Sequence, residues 1–334
     1  MDFRLNHIRN FFCVRNTNNT DLFRQKARHL GTLNQDKIIY YIEEDNENFG
    51  FFAMYRAWLE YLYFSDVCGY IPVVCACENF LYREKALIHG TENPFEYYFE
   101  QPAAISVYNA KKSSKVIVSD LLHRQMVELI FTGKYNNYKW NKRYIREMSY
   151  IVKKYIRFNQ PTWKYISEGI KKINFATEKI LGIHIRGTDF RARYDNHPIY
   201  LEEKDCFKAI DPMLEKGVYS KLFIATDDNR ILKSFINRYG EKLCYYEDVE
   251  RGSKNQSVAF SIKNRKNHKY LLGLEVLRDM YSLSMCSGLI AGISQVAVCA
   301  QINKLARGEH YDELKIIDKG ININGHKFNM KRSR

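Results

Sequence analysis

Three short segments carry polar residues where an α/β sheet would end its strands, and each has the residue types to hold a phosphate. Residues 183–189 read Ile-His-Ile-Arg-Gly-Thr-Asp, and period-two alternation puts His184 and Arg186 on the same side of a strand. An arginine there supplies a planar, permanently charged fork for a diphosphate. Gly187 lets the backbone approach a ligand closely, and Asp189 stands where it can brace the arginine or the loop. Residue types alone read equally well as a satisfied histidine beside a surface Arg–Asp pair. The second segment, Ala225-Thr226-Asp227-Asp228-Asn229, leaves an apolar run and starts a helical pattern, so Thr226 or Asp227 reads first as an N-cap. Adjacent carboxylates also suggest a metal pair, but neighbours alternate in direction and no metal is expected. In the third, Ala291-Gly292-Ile293-Ser294-Gln295-Val296, a strand gives way to a glycine turn and a helix start. Its N–H groups and the Ser294 hydroxyl suit a phosphate, although serine is also a common cap. Asp279 stands apart, in a helical pattern whose apolar face is marked by Leu274, Leu277 and Tyr281. A carboxylate near such a face accepts two hydrogen bonds from a guanine edge or a ribose, or else lies exposed.

Positioning these groups takes alternating strands and helices. In the first half, strands are expected at 37–42, 71–75 and 115–118, a helix over 49–64 after Gly50, and helical stretches between 121 and 156. A strand, a glycine turn, a helix and a second strand make a βαβ unit and hence a parallel sheet. Pro161 is expected to break the helical pattern and mark a boundary near 158–162, dividing the chain into 1–160 and 161–334. The second half reads as helix 163–173, strand 180–185, helix 201–214, strand 222–225, helix 229–239, strand 243–246, helix 270–284, strand 288–291, helix 295–303 and strand 315–317. Alternation of this regularity is the mark of a doubly wound fold.

The bulk properties agree with two compact α/β domains. The 334 residues exceed one ordinary core, and 46% hydrophobic with 27% charged residues is close to a globular average. A net charge of +14 favours an anionic partner, whether phosphate, nucleic acid or an acidic membrane surface, without choosing among them. The eight cysteines are dispersed in apolar runs, with no CxxC pair or zinc spacing, and read as reduced core residues. No window holds about 18 uninterrupted apolar residues, and the first residues, MDFRLNHIRNFF, lack a signal-like apolar stretch. A cytoplasmic protein is expected, with peripheral contact to an anionic membrane open to it through its charge.

The motifs, taken in order, resemble those of the fucosyltransferase superfamily, and the α-1,6-fucosyltransferases of nodulation and N-glycan core type above all. His-Ile-Arg-Gly-Thr-Asp at 184–189, Ala-Thr-Asp-Asp at 225–228, and Val-Leu-Arg-Asp-Met-Tyr-Ser-Leu-Ser at 276–284 followed by Ser-Gln-Val at 294–296 look like the three motifs of that family. The resemblance covers about a third of the chain. It implies two facing Rossmann-like domains (GT-B type), with GDP-fucose bound mainly by the C-terminal one. Arg186 would hold the β-phosphate, His184 would lie beside the phosphates and sugar, and Asp279 would recognise the nucleotide. Ser294 and Gln295 would bind the diphosphate, with Asp189 and Asp227 also at the donor, and no metal or other cofactor is implied. The family has two adjacent arginines in its first motif; here the second is Gly187, so a contact is missing or comes from Arg191 or Arg193. Asp195, the nearest carboxylate before His197-Pro198, is the candidate base, in a loop one residue shorter than the family's.

An acceptor glycan would lie across the cleft. Residues 93–101, Asn-Pro-Phe-Glu-Tyr-Tyr-Phe-Glu-Gln, combine aromatics that stack on sugars with Glu96 and Glu100, which accept hydroxyl hydrogen bonds. Glu96, Tyr97 and Glu100 are the acceptor candidates, with core packing as the competing account of the same aromatics. The charged stretch 251–268 either closes over the donor, contacts an anionic acceptor, or is a solvated insertion. Two alternatives stand beside fucosyl transfer: another nucleotide sugar in the same fold, and a basic nucleic-acid-binding protein. The second is motivated by the charge together with 25 Tyr and 20 Phe, but no nucleic-acid-binding motif is present.

Overall fold

Residues 27–44, 49–76, 78–132 and 141–327 are described in the computed structural model of the chain. In the first half, β1 (Ile39–Glu44) lies between β2 (Ile71–Ala76) and β3 (Val116–Val118), parallel to both. Helix α1 (Phe51–Cys68) makes the crossover, and Gly69, at φ 71°, ends it in the left-handed conformation that glycine tolerates best. Helices α2 (Leu121–Thr132) and α3 (Lys142–Tyr155) pack on α1.

The second half starts with α4 (Gln160–Ile173) and builds one five-stranded parallel sheet. Its strands are β4 (Ile180–Ile185), β5 (Lys221–Thr226), β6 (Leu243–Cys244), β7 (Gly288–Gly292) and β8 (Glu313–Ile317), in the spatial order β6-β5-β4-β7-β8. This is the doubly wound order. Its winding direction reverses between β4 and β7, and ligands of such sheets bind at that switch, outside the strand carboxyl ends. The intervening helices are α5 (Glu203–Glu215), α6 (Asn229–Tyr239), α7 (His268–Met285) and α8 (Gln295–Ala306).

Period two along β4 sorts its side chains. Leu181, Ile183 and Ile185 join Cys206 and Ile210 of α5 and Ile231 and Phe235 of α6 in one cluster. The opposite face carries Gly182, where an added Cβ would lie 3.0 Å from Cys286 Sγ, and then His184. That face belongs to a second cluster, which runs on from Phe223 and Leu289 to Trp58, Tyr40 and Phe95 of the first half. The 160/161 division thus falls between the two sheets, but the apolar core crosses it, and α8 packs against α3 and α1.

Two expectations are corrected. Pro161 opens a helix instead of breaking one: α4 starts at Gln160, Asn159 Oδ1 accepts from the Thr162 N–H at 3.0 Å, and proline sits in the first turn, where its missing N–H leaves no bond unmade. The 93–101 aromatics follow the competing account and are core. Phe95, Tyr97, Tyr98 and Phe99 are at most 1% exposed. Asn93 and Gln101 instead seal the free edge of β2: Asn93 accepts from Ala76 N and donates to Val74 O, both at 2.8 Å, and Gln101 accepts from Val74 N at 2.9 Å. Tyr97 is core, Glu96 accepts from Thr91 Oγ1 and Gln101 Nε2, and Glu100 lies exposed in the same edge-sealing segment.

Among the described residues no helix is long and apolar enough to cross a membrane, and the described cysteines are free thiols. The aromatic segment presses on α7, where a Cβ at Gly273 would fall 2.1 Å from the Tyr98 hydroxyl oxygen. Gly273→Ala should therefore destabilise the fold by about 1–3 kcal/mol through overpacking, against the gain of about 1 kcal/mol that alanine brings to an exposed helix. Urea unfolding measures the sign, and a stabilised variant would contradict this packing.

Candidate functional site

A cavity opens at the switch point. It is lined by His184 and Arg186 at the end of β4, by Ala225, Thr226 and Asp227 at the end of β5, and by Val296 at the start of α8. Asp279, Glu275, Val276 and Leu272 of α7 form another wall, Val249, Glu250, Ser257, Val258 and Ala259 a third, and Tyr82 reaches in from the first half. With its open mouth and the solvent in it, the space is about 570 Å³.

Arg186 is held on three sides. Nε pairs with Asp189 Oδ1 at 2.8 Å, Nη1 with Asp227 Oδ2 at 2.8 Å, and Nη2 donates to Ser257 Oγ at 2.9 Å. A guanidinium has five N–H groups, so one remains on each Nη. Asp227 also accepts from Gly187 N at 2.8 Å and from the Thr188 hydroxyl. It is the neighbouring Asp228 that caps α6, accepting from Arg230 N at 2.8 Å, which corrects the expectation that Thr226 or Asp227 is the cap. Gly187 has no room for a side chain: an added Cβ would lie 2.3 Å from Asp228 Cβ and 2.7 Å from Ile231 Cδ1. Arg191 is engaged with Glu203 at 2.9 Å and with Asp228 at 3.3 Å, and Arg193 is exposed in a left-handed turn at φ 52°.

His184 is 5% exposed, and its Nδ1 lies 3.2 Å from Ser294 Oγ. Burial first, then the Arg186 charge, lower its pKa to about 3. The imidazole is therefore neutral at ordinary pH and acts as a hydrogen-bonding group, not as a proton donor of the imidazolium type. Ser294 caps α8, accepting from Ala297 N at 3.1 Å, and so aims the positive helix end at the switch point. Gln295 does not line the cavity; its amide oxygen accepts from Arg56 Nη1 at 2.9 Å, and Arg56 also bonds Glu60 and Tyr144.

Asp279 is 6% exposed, and its Oδ1 has no hydrogen-bond partner. Burial raises its pKa to about 7, against the opposing charges of Arg251 and Arg278. Leaving such an acceptor unmade is costly, and the cavity it borders is where a ligand can satisfy it. Glu275, one turn earlier, accepts from Glu250 N at 3.0 Å, and burial raises its pKa as well.

The structure brings Arg186, His184, Asp227 and Asp279 to one cavity, with Asp189 and Ser294 bonded to Arg186 and His184 beside it, and leaves Asp195 out of its lining. Asp195 lies in a loop zipped to 320–326, where its carboxylate accepts from Asn196 Nδ2 at 3.0 Å and from Gly325 N at 3.4 Å. Sequence reasoning missed Tyr82 and Glu275, while Ser257 falls in the 251–268 stretch for which closure over the donor was one of the readings. Only Glu275 had a readable signal, its i, i+4 spacing from Asp279.

The model of the family of alpha-(1,6)-fucosyltransferase N- and catalytic domains matches residues 143–315. Comparison with curated protein sequences gives no match. Among solved structures, the chain is similar to NodZ alpha-1,6-fucosyltransferase soaked with GDP-fucose at 13% identity, over 80% of this chain and 92% of that one, with a TM-score of 0.47. Fucosyltransferase NodZ from Bradyrhizobium matches at 12% identity over 81% and 93%, with a TM-score of 0.46. POFUT1 in complex with GDP-fucose matches at 9% over 88% and 100%, with a TM-score of 0.45.

Gly187→Arg, which would write a second arginine into the first motif, should lower the melting temperature by several degrees, because the new side chain meets Asp228 and Ile231. At about 1–3 kcal/mol of overpacking, a thermal melt resolves the change; an unchanged melting temperature would show that the loop has room after all.

Proposed function

Because the chain belongs to the alpha-(1,6)-fucosyltransferase family and is therefore a glycosyltransferase, we propose that it moves fucose from GDP-fucose to a glycan hydroxyl, with inversion at the anomeric carbon. The observation that carries this reading is the pairing, in one cavity, of the orphaned buried carboxylate of Asp279 with the fixed guanidinium of Arg186. Guanine offers two N–H donors on one edge, N1–H and the 2-amino group, and an ionised Asp279 accepts both. The free N–H groups of Arg186 and the start of α8 supply positive charge for the diphosphate.

The chemistry follows from that charge. The acceptor hydroxyl oxygen attacks the anomeric carbon opposite the diphosphate and gives its proton up to solvent, the bond from that carbon to the β-phosphate oxygen breaks, and GDP leaves with the electron pair. Donors fixed in advance on the leaving anion stabilise the transition state without reorganising, and one such donor is typically worth about 2.7–4 kcal/mol of barrier. In this reading Arg186 and the helix end perform that task, and the reaction needs no metal. His184, neutral and hydrogen-bonded to Ser294, orients beside the phosphates. The excess of basic residues suits an acceptor at an anionic membrane surface on the cytoplasmic side.

Two measurements test the reading. In the first, release of the nucleoside diphosphate, GDP or UDP, is followed from GDP-fucose, GDP-mannose and UDP-sugars with a chelator present, over a panel of chitin-type and N-glycan-type acceptors. Turnover of GDP-fucose alone is expected; turnover only of another sugar nucleotide would move the assignment to a different donor. The second is pH dependence. Asp279 is neutral below about pH 7 and must be ionised to accept the guanine N–H groups, so GDP affinity should rise about tenfold between pH 6 and pH 8 and then level off. Affinity that is flat over this range, or that falls, would remove Asp279 from base recognition.

A further inference from the structure

The outer side of α3 carries one sign of charge. Lys142, Arg143, Arg146, Tyr150, Lys153 and Lys154 are exposed, while Tyr144, Ile145, Met148, Ile151, Val152 and Tyr155 are buried. At 3.6 residues per turn the exposed side chains fall in one stripe about 120° wide and about 20 Å long. The only carboxylate in the helix is Glu147, whose Oε1 lies 3.8 Å from Arg146 Nε. Lys154 is paired with Asp66, and its ammonium stands 5.8 Å from the centre of the Tyr150 ring, so an exposed aromatic sits among the cations. Beyond α3, in the first turn of α4, Trp163 is 46% exposed, its ring stacked with Phe158 at 6.4 Å and edge-on to Tyr281 at 5.7 Å. Lys164, Lys171 and Lys172 are exposed along the same helix, where Glu168 is the exposed acid.

Helix α5 shows the arrangement that water alone favours. Glu203, Asp205, Asp211 and Glu215 alternate there with Lys204 and Lys208, and Asp211 pairs with Arg238 of α6. Mixed signs support each other along a helix, whereas like charges one turn apart, as Lys142 and Arg146 are, work against it. An anionic surface laid along the stripe turns that repulsion into attraction. Tyrosine and tryptophan, each with an apolar body and a polar tip, suit the boundary between lipid headgroups and water.

We infer that the outer stripe of α3, together with Trp163, docks the enzyme on an anionic phospholipid bilayer. The cations meet the lipid phosphates, and the two exposed aromatic rings enter the headgroup layer. Because the apolar side of α3 is committed to the core, the helix rests on the headgroups without inserting, and the docking is reversible and salt-sensitive. A nucleic acid fits the stripe less well: its aromatics stand singly instead of forming a stacking row, and it has no Asn or Gln to read base edges. This docking rests on the reading that the acceptor stands at an anionic membrane surface, and it names the face that meets that surface.

The test is co-sedimentation of the full chain with vesicles of phosphatidylcholine, alone or with about a third phosphatidylglycerol, at about 0.1 M salt. Binding is expected to the anionic vesicles only, and to be lost near 1 M salt, where the Debye length falls to about 3 Å. Lys142→Gln, Arg146→Gln and Lys153→Gln combined should weaken it about a hundredfold, at about fivefold for each charge. Lys216→Gln, Lys233→Gln and Lys242→Gln combined remove the same net charge from exposed positions around α5 and α6, and should bind within about threefold of the wild type because screening confines the attraction to about 10 Å. Trp163→Ser should weaken binding severalfold and leave its salt dependence unchanged. A wild type that ignores anionic vesicles, equal losses in the two triple variants, or tighter binding to an oligonucleotide than to the vesicles would overturn the docking and leave the donor assignment untouched. A wild type that docks but turns over no GDP-fucose with any acceptor would do the reverse.

Discussion

The site is built around the Arg186 guanidinium, held between Asp189, Asp227 and Ser257. A half-buried cation on its own would be expensive to desolvate, and two carboxylates at 2.8 Å offset that cost while fixing its plane. The same contacts join three parts of the chain. Asp227 ties the end of β5 to the loop after β4 through Gly187 and Thr188, its carbonyl accepts from Gly252 N at 2.8 Å, and Ser257 brings the stretch after β6 over the cavity. A guanidinium fixed in this way meets a developing anion without reorganising, which is the condition for electrostatic catalysis.

The single arginine has a structural cause. Gly187 sits against Asp228 and Ile231, where no Cβ fits, because Asp228 serves as the cap of α6 and as the partner of Arg191 and Arg230. A second arginine next to Arg186 has no room at position 187, and Arg191 is committed to Glu203 and Asp228. Arg186 and the start of α8 bring positive charge to one side of the cavity, and Asp279 puts a carboxylate oxygen without a partner in another wall. The apolar core that runs between the two sheets, with α8 packed on α1 and α3, keeps these walls in register.

Much of this was legible in the sequence. The second-half strands and helices follow a clean alternation, and β4 and α6 fall on their expected residues because Ile-rich and capped boundaries leave little choice. The three strand-end motifs pointed to the cavity because an α/β sheet has few other places for polar groups after buried strands. The failures share a cause, which is tertiary context. Pro161 reads locally as a breaker and sits at a helix start; the 95–99 aromatics read either as sugar platforms or as core and are core, with their neighbours Asn93 and Gln101 sealing a sheet edge. Asp195 was singled out by its distance from His197-Pro198, but pairing with 320–326, over a hundred residues away, fixes where it lies. Tyr82 lies outside any periodic pattern and becomes visible only when the chain is folded, whereas Ser257 belongs to the 251–268 stretch for which closure over the donor was one of the readings.

The most direct test of the central claim compares GDP with GMP, by calorimetry without divalent metal, for the wild type and a folded Arg186→Ala variant. If Arg186 holds the diphosphate, the wild type should favour GDP over GMP by tenfold or more, on the order of one charge-assisted contact, and the variant should bind the two alike. A variant that kept the full preference for GDP would show that the β-phosphate is held elsewhere and that the Arg186 clamp is only structural.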